Sequence, residues 1–79
     1  MLNSVTLLGK ILNRPQDSNC IFIQLLIAPD LISPDIYFKG RIAEKLTKLC
    51  QEGDIVLVTG ELDLTEDGWC IVGTTFQKL

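Results

Sequence analysis

The chain has 79 residues, of which 47% are hydrophobic, with three prolines, no histidine and a formal net charge of −3. This length predicts a single domain over residues 1–79, and the apolar fraction excludes an intrinsically disordered chain. No apolar stretch is long enough to cross a bilayer and no secretory signal pattern opens the sequence, so we expect no membrane partner and a cytoplasmic or equivalent reducing environment.

The residue types needed for most catalytic sites are missing. Without histidine the chain lacks the usual general base and the commonest zinc ligand. Cys20, Cys50 and Cys70 lie in apolar stretches at spacings unlike those of metal-binding pairs, which predicts buried free thiols. The carboxylates of Glu66 and Asp67 fall in a polar turn without a neighbouring base or nucleophile. We therefore expect no enzymatic activity, no metal site and no cofactor.

Apolar and alternating segments predict three strands in the first half of the chain. The first covers residues 4–12, and the second covers residues 20–28, where nearly every position is apolar. Residues 13–19 between them have the composition of a turn. After a short proline-containing loop, residues 35–39 form the third predicted strand.

The second half begins with a helix and ends with two strands. Residues 41–51 place their apolar side chains on one helical face, and Gly53 suits the conformation that ends a helix. The β-branched run that follows predicts a fourth strand over residues 55–64, in which Gly60 indicates a bulge or a tight barrel bend. An Asp-Gly turn then leads to a fifth strand over residues 69–76.

The order and spacing of these segments resemble the bacterial single-stranded-DNA-binding protein (SSB) family, including its short members from cyanobacteria and plastids. The first matching motif consists of Gly40, Arg41, Ile42, Ala43 and Glu44, and the second of Gly53, Asp54, Val56, Val58, Gly60 and Leu62. Residues 3–11 and 20–28 are similar to the family's first two strands. The resemblance implies an all-β fold, a five-stranded oligonucleotide-binding (OB) barrel with one α-helix between strands 3 and 4. It also adds the plastid stroma to the compartments that we consider.

The resemblance implies single-stranded DNA binding, but the charges of this chain weaken that expectation. Single strands are held by a basic groove and by aromatic side chains on which bases stack. Acidic side chains stand where the family tends to have basic ones, at Asp35, Glu52, Glu61 and Asp63. Because phosphate contacts supply most of the affinity, we expect at most weak, salt-sensitive binding.

Six residues could still contact a nucleic acid. These candidates are Lys10, Arg14, Tyr37, Lys39, Arg41 and Trp69. The alternative for Trp69 is ordinary packing, and for the four cations it is a solvated surface.

An apolar outer face supports a different function. If Ile23 and Leu25 point into the barrel, their neighbours along the strand point outward. The predicted protein-interface residues are Phe22, Leu26, Tyr37, Ile55 and Leu57. A contiguous patch of this kind marks a contact with a second copy, in a homodimer or higher oligomer, or with another protein, unless the helix or the last hairpin covers part of it. The sequence thus leaves two hypotheses open: weak single-strand binding, or a non-catalytic interaction and assembly module that has kept the barrel and lost nucleic-acid binding.

Overall fold

A strongly curled sheet surrounds an apolar core, with a helix packed beside it. The computed structural model describes residues 3–13 and 20–79. The elements are β1 (Val5–Ile11), β2 (Cys20–Ile23), β3 (Leu25–Ala28), β4 (Leu31–Ile32), β5 (Ile36–Lys39), α1 (Arg41–Leu49), β6 (Ile55–Thr65) and β7 (Gly68–Lys78).

The sheet closes on itself through the second predicted strand. The strand order is β2-β5-β7-β6-β1-β3-β4, in which all neighbours are antiparallel except the parallel pair β5 and β7. β2 and β3 are consecutive segments of the chain, yet β2 pairs with β5 and β3 pairs with β1. Because one run of chain joins the two sides of the sheet, the result is a barrel. The predicted OB architecture, with its helix between the third and fourth predicted strands, is confirmed.

The second predicted strand is divided in two by a bend at Gln24, which the sequence did not indicate. The side chain of Asn13 holds the bend. Its Nδ2 donates to the carbonyl oxygen of Phe22 at 2.9 Å, and its Oδ1 accepts from the backbone N–H of Gln24 at 2.8 Å. The N–H of Leu12 also donates to the carbonyl oxygen of Gln24 at 2.9 Å. These bonds satisfy backbone groups that would otherwise lose partners where the strand changes neighbour.

The largest differences from the predicted elements are in the helix, in the last strand and in the loop after β3. The helix ends at Leu49 because Cys50 has an extended backbone, and the Asp54 carboxylate accepts the N–H of Gln51 at 2.9 Å. β7 continues to Lys78, two residues beyond its predicted end. The predicted loop after β3 contains the short strand β4, where Ile32 pairs with Leu26.

Only one cysteine is buried, which corrects the prediction of three buried thiols. Cys50 lies in the core, and burial raises the pKa of its thiol. Cys20 is exposed and Cys70 is half-buried, since each alternates with a core isoleucine along its strand. None of the three forms a disulfide.

Gly60 and Gly73 lie where an added Cβ would clash with neighbouring atoms. The β6–β7 register shifts between Thr59 and Gly60, which confirms the predicted irregularity there. Gly73 faces the core, where a Cβ would overlap the ring of Phe38. Phe38 is fully buried and meets Phe76 edge to face, with 6.3 Å between the ring centroids. Because Gly73 has no side chain, β7 leaves space for Phe38, the largest core side chain.

We expect Gly73→Ala to lower the free energy of unfolding by about 1–3 kcal/mol, because it overpacks the site of the Phe38 ring. Urea denaturation measures the change. Thr75→Ala, at an exposed position on the same strand, should stay within about 0.5 kcal/mol of the unsubstituted protein. In a Phe38→Leu background the cost of Gly73→Ala should shrink. An equal cost in both backgrounds would contradict the packing explanation.

Candidate nucleic-acid interface

An exposed pair of aromatic rings lies on the outer surface of β2 and β5. Phe22 is directly opposite Tyr37 in the strand pairing, and their ring centroids are 4.9 Å apart with a tilt of 42°. Both alternate with core residues along their strands, so the pleat directs them outward. Phe22 is 54% exposed and Tyr37 is half-buried. We call this pair the aromatic platform.

A thiol lies at the edge of the aromatic platform. Cys20 Sγ–H donates to the hydroxyl oxygen of Tyr37 at 2.9 Å. This hydrogen bond raises the pKa of the Tyr37 phenol, and desolvation adds to the rise. An unfavourable electrostatic contribution from the Cys20 side chain raises the pKa of Tyr37 further. The contact fixes the orientation of the Tyr37 ring.

Two of the predicted cations follow the platform along the chain. Lys39 is two residues beyond Tyr37 on β5, opposite Cys20, and is exposed. Gly40, with a φ of 69°, turns the chain into α1, which starts with the exposed side chain of Arg41. Lys39 and Arg41 thus follow Tyr37 of the platform on one short segment of the chain.

The other three candidates are not part of this group. Lys10 is on β1, opposite Ile55 of β6 and Leu26 of β3. Trp69 pairs with Leu64 and shares its face with the core residue Ile71, so it lies on the opposite face of the sheet from the platform. Arg14 lies outside the residues that the structure describes.

Carboxylates lie on the same outer surface as the platform. The strand pairings define an outward row that consists of Phe22, Tyr37, Val72 and Glu61. Asp63 belongs to the same side of β6, opposite Cys70, and both acids are exposed. A nucleic-acid strand that ran from the platform across β7 would therefore approach negative charge, which repels phosphates.

The predicted apolar interface separates into two parts. Phe22 and Tyr37 form the platform, whereas Leu26, Ile55 and Leu57 lie on β3 and β6, beside β1. Leu8 joins this second group opposite Leu57 and was missed by the sequence analysis, although the alternation along β1 could have indicated it. We call Leu8, Leu26, Ile55 and Leu57 the β1 patch. The bend at Gln24 lies between the platform and this patch on one side of the barrel, and β7 lies between them on the other.

Comparison with known proteins establishes the fold. No protein-family model matches the sequence, and no curated protein matches it. Among solved structures, the mitochondrial single-stranded DNA binding protein Rim1 of S. cerevisiae gives a TM-score of 0.83 at 14% identity, covering 100% of this chain and 94% of that chain. The small single-stranded DNA-binding protein of Streptomyces coelicolor gives 0.82 at 13% identity, covering 100% and 95%.

A third similar structure is bound to another protein. It is OBody AM3L15 in complex with hen egg-white lysozyme, with a TM-score of 0.81 at 12% identity, covering 96% of this chain and 75% of that chain. The fold predicted from the sequence motifs is thus the fold of single-stranded-DNA-binding proteins. At these identities the likeness shows architecture, and function must be argued from the site.

The structure also describes the acidic and metal-ligating residue types that the sequence analysis considered. Residues 3–13 and 20–79 contain no group of three His, Cys, Asp or Glu side chains that could hold a metal ion. Glu66 and Asp67 are exposed in the β6–β7 turn. Within the same residues, no helix is long and apolar enough to span a membrane.

We expect Cys20→Ala to lower the pKa of Tyr37 toward the ordinary phenol value, since it removes the hydrogen bond and the adjacent sulfur. Tyr37 is the only tyrosine of the chain, so the ultraviolet absorbance of the phenolate titrates this group alone. Cys70→Ala is the matched control and should leave the curve in place. Superimposable curves for Cys20→Ala and the unsubstituted protein would show that the thiol does not contact the phenol.

Proposed function

We propose that this OB-fold protein binds single-stranded nucleic acid weakly through the aromatic platform, with Lys39 and Arg41 as phosphate contacts. The observation that carries the proposal is the ring pair of Phe22 and Tyr37, which offers an accessible aromatic surface on the strand that leads to two cations. Bases stack on such surfaces whatever their sequence, which favours binding without sequence preference.

The charges on the outer surface determine how strongly we expect nucleic acid to bind. Each stacked base contributes about 1–3 kcal/mol, and each phosphate contact adds a term that falls with salt. Two cations border the platform, while Glu61 and Asp63 continue the same surface on the other side. The formal net charge of −3 adds a general repulsion of polyanions. Binding should therefore involve only a few nucleotides and should weaken as ionic strength rises.

A second function, assembly through the β1 patch, is supported by a separate observation. Leu8, Leu26, Ile55 and Leu57 lie on three adjacent strands, with Lys10 as the charged residue among them. Apolar outer surfaces of this kind are typical of protein contacts. The protein-bound OBody is a case in which a similar barrel carries a protein contact. Because the β1 patch does not include the platform, self-association and nucleic-acid binding can coexist on one molecule.

The first test is a titration of labelled oligothymidine at low salt, followed by fluorescence anisotropy. We expect weak binding that disappears near physiological ionic strength. Phe22→Ser should weaken it by roughly 5- to 150-fold, the equivalent of one stacked base. Glu61→Gln should strengthen it, since a repulsive charge is removed. Tight binding that survives moderate salt, or unchanged binding by Phe22→Ser, would contradict the proposal.

The second test measures mass by light scattering. We expect the double variant Ile55→Ser, Leu57→Ser to have a lower average mass than the unsubstituted protein, with an unchanged far-ultraviolet circular dichroism spectrum. Phe22→Ser is the matched control, because it removes exposed apolar surface outside the β1 patch. It should leave the mass unchanged. If the double variant keeps the original mass, the β1 patch is not an interface.

A further inference from the structure

The β6–β7 hairpin carries an apolar face beyond the barrel. The strands remain paired from Gly60 opposite Gly73 to Thr65 opposite Gly68. Leu62 pairs with Ile71, and Leu64 pairs with Trp69, so these side chains share one face. Ile71 is buried at the base of this face, while Leu62, Leu64 and Trp69 are 38%, 63% and 61% exposed. We call residues 61–70 the hairpin tip.

The hairpin tip is held in shape although its apolar face is uncovered. Thr65 Oγ1 donates to the carbonyl oxygen of Gly68 at 2.9 Å and accepts the N–H of Asp67 at 3.2 Å. Asn3 exchanges two hydrogen bonds with the backbone of Leu62, at 2.7 and 3.2 Å. Two-stranded hairpins are marginal in water unless an apolar face is packed. A cover for Leu64 and Trp69 would therefore stabilise the hairpin tip.

The hairpin tip is strongly acidic. Glu61 and Asp63 project from its other face, and Glu66 and Asp67 form its turn. No lysine or arginine occurs between residues 60 and 77. A surface that covered the apolar face would thus be favoured if it were cationic at its edge.

A groove with apolar and cationic side chains lies between α1 and the end of β7. Its volume is about 470 Å³, and it is lined by Ile42, Lys45, Leu49, Thr74, Thr75, Phe76 and Lys78. Leu49 and Phe76 offer apolar contacts, and Leu49 is largely exposed. Lys78 Nζ lies 3.4 Å from the Asp54 carboxylate and 3.2 Å from the carbonyl oxygen of Leu49, which holds this cation at the rim. We call this surface the helix groove.

The helix groove cannot receive the hairpin tip of its own chain. Trp69 and Phe76 are on the same extended strand, and seven residues at ~3.3 Å each separate them by roughly 23 Å. Intact β7 therefore keeps the two surfaces apart. Any contact between them requires two molecules.

We propose that the hairpin tip of one copy docks into the helix groove of a second copy, with Leu64 and Trp69 against Leu49 and Phe76. Lys45 at the rim of the groove meets the turn carboxylates of Glu66 and Asp67, so the contact is complementary in charge as well as in apolar surface. Lys78 already pairs with Asp54. The two surfaces differ, which makes the contact heterologous, and repetition of it generates rings or open chains. This contact uses neither the aromatic platform nor the β1 patch, so it stands independently of the proposed function.

The proposed contact is small. The hairpin tip contributes ten residues, whereas a standard stable interface contains roughly 20–30 residues on each side. Assembly should therefore be weak, dependent on protein concentration, and favoured by low salt, since charge pairs at its rim are screened.

The test exploits Trp69, which is the only tryptophan of the chain. The reporter is the variant Lys45→Glu, Leu49→Ser, which keeps the hairpin tip and alters the groove. The titrant is the variant Leu64→Ser, Trp69→Ser, which keeps the groove and contributes no tryptophan emission. All four substituted positions are exposed, so both variants should retain the native circular dichroism spectrum. Ile55→Ser and Leu57→Ser are added to both variants, so that the β1 patch cannot contribute.

We expect the titrant to shift the tryptophan emission of the reporter to shorter wavelength. The shift should saturate at an equimolar ratio of titrant to reporter, and sedimentation should detect a heterodimer. Neither variant should shift or assemble alone. The matched control titrant carries Lys45→Glu and Leu49→Ser in addition to its own changes, and should give no shift.

Two results would overturn the proposal. One is an unshifted emission when folded reporter and folded titrant are mixed at a concentration at which the unsubstituted protein assembles. If the unsubstituted protein is monomeric at every concentration, an unshifted emission at any concentration has the same meaning. The other is an equal shift with the control titrant, which would show that Trp69 is covered by some surface other than the helix groove.

Discussion

The barrel depends on one run of chain that must pair with two different strands. β2 and β3 are adjacent in sequence but serve opposite sides of the sheet, and the bend at Gln24 allows the change. At a bend of this kind the backbone loses ladder partners, so its N–H and C=O groups need hydrogen bonds from elsewhere. Asn13 supplies both a donor and an acceptor at this point, so a single side chain completes the ladder. The outward direction of Phe22 and Leu26, and hence both candidate interfaces, follows from this closure.

Much of the fold could be predicted because local patterns and the global structure agree. The alternation that places Ile23 and Leu25 inside and Phe22 outside is visible in the sequence, as is the helical face that buries Leu46. Gly60 also marked the place where the pairing register shifts. The division at Gln24 could not be predicted, because it depends on hydrogen bonds from Asn13, a residue of a different segment, and no local propensity encodes them.

The candidate site was harder to predict because it depends on which strands become neighbours. Phe22 and Tyr37 were both predicted interface residues, and Tyr37 was also a nucleic-acid candidate, but only the β2–β5 register places their rings 4.9 Å apart. Trp69 was grouped with Tyr37, although its spacing from the core residue Ile71 already indicated the opposite face. Sequence patterns thus gave the direction of single side chains but not their assembly into a surface. On a barrel of this size, three chemically distinct outer surfaces lie within a few strands of one another: an aromatic one, an aliphatic one and an acidic one.

The long-range pairings also bear on how the chain reaches its native state. Val5 pairs with Gly60 and Thr6 with Thr59, so the first strand finds its main partner near the other end of the sequence. The parallel contact of β5 with β7 likewise joins segments on either side of the helix. High contact order slows folding, because loop entropy is lost before these contacts repay it. The β6–β7 hairpin is the local element on which β1 and β5 can assemble, and either strand, while unpaired, presents an edge that is open to wrong partners.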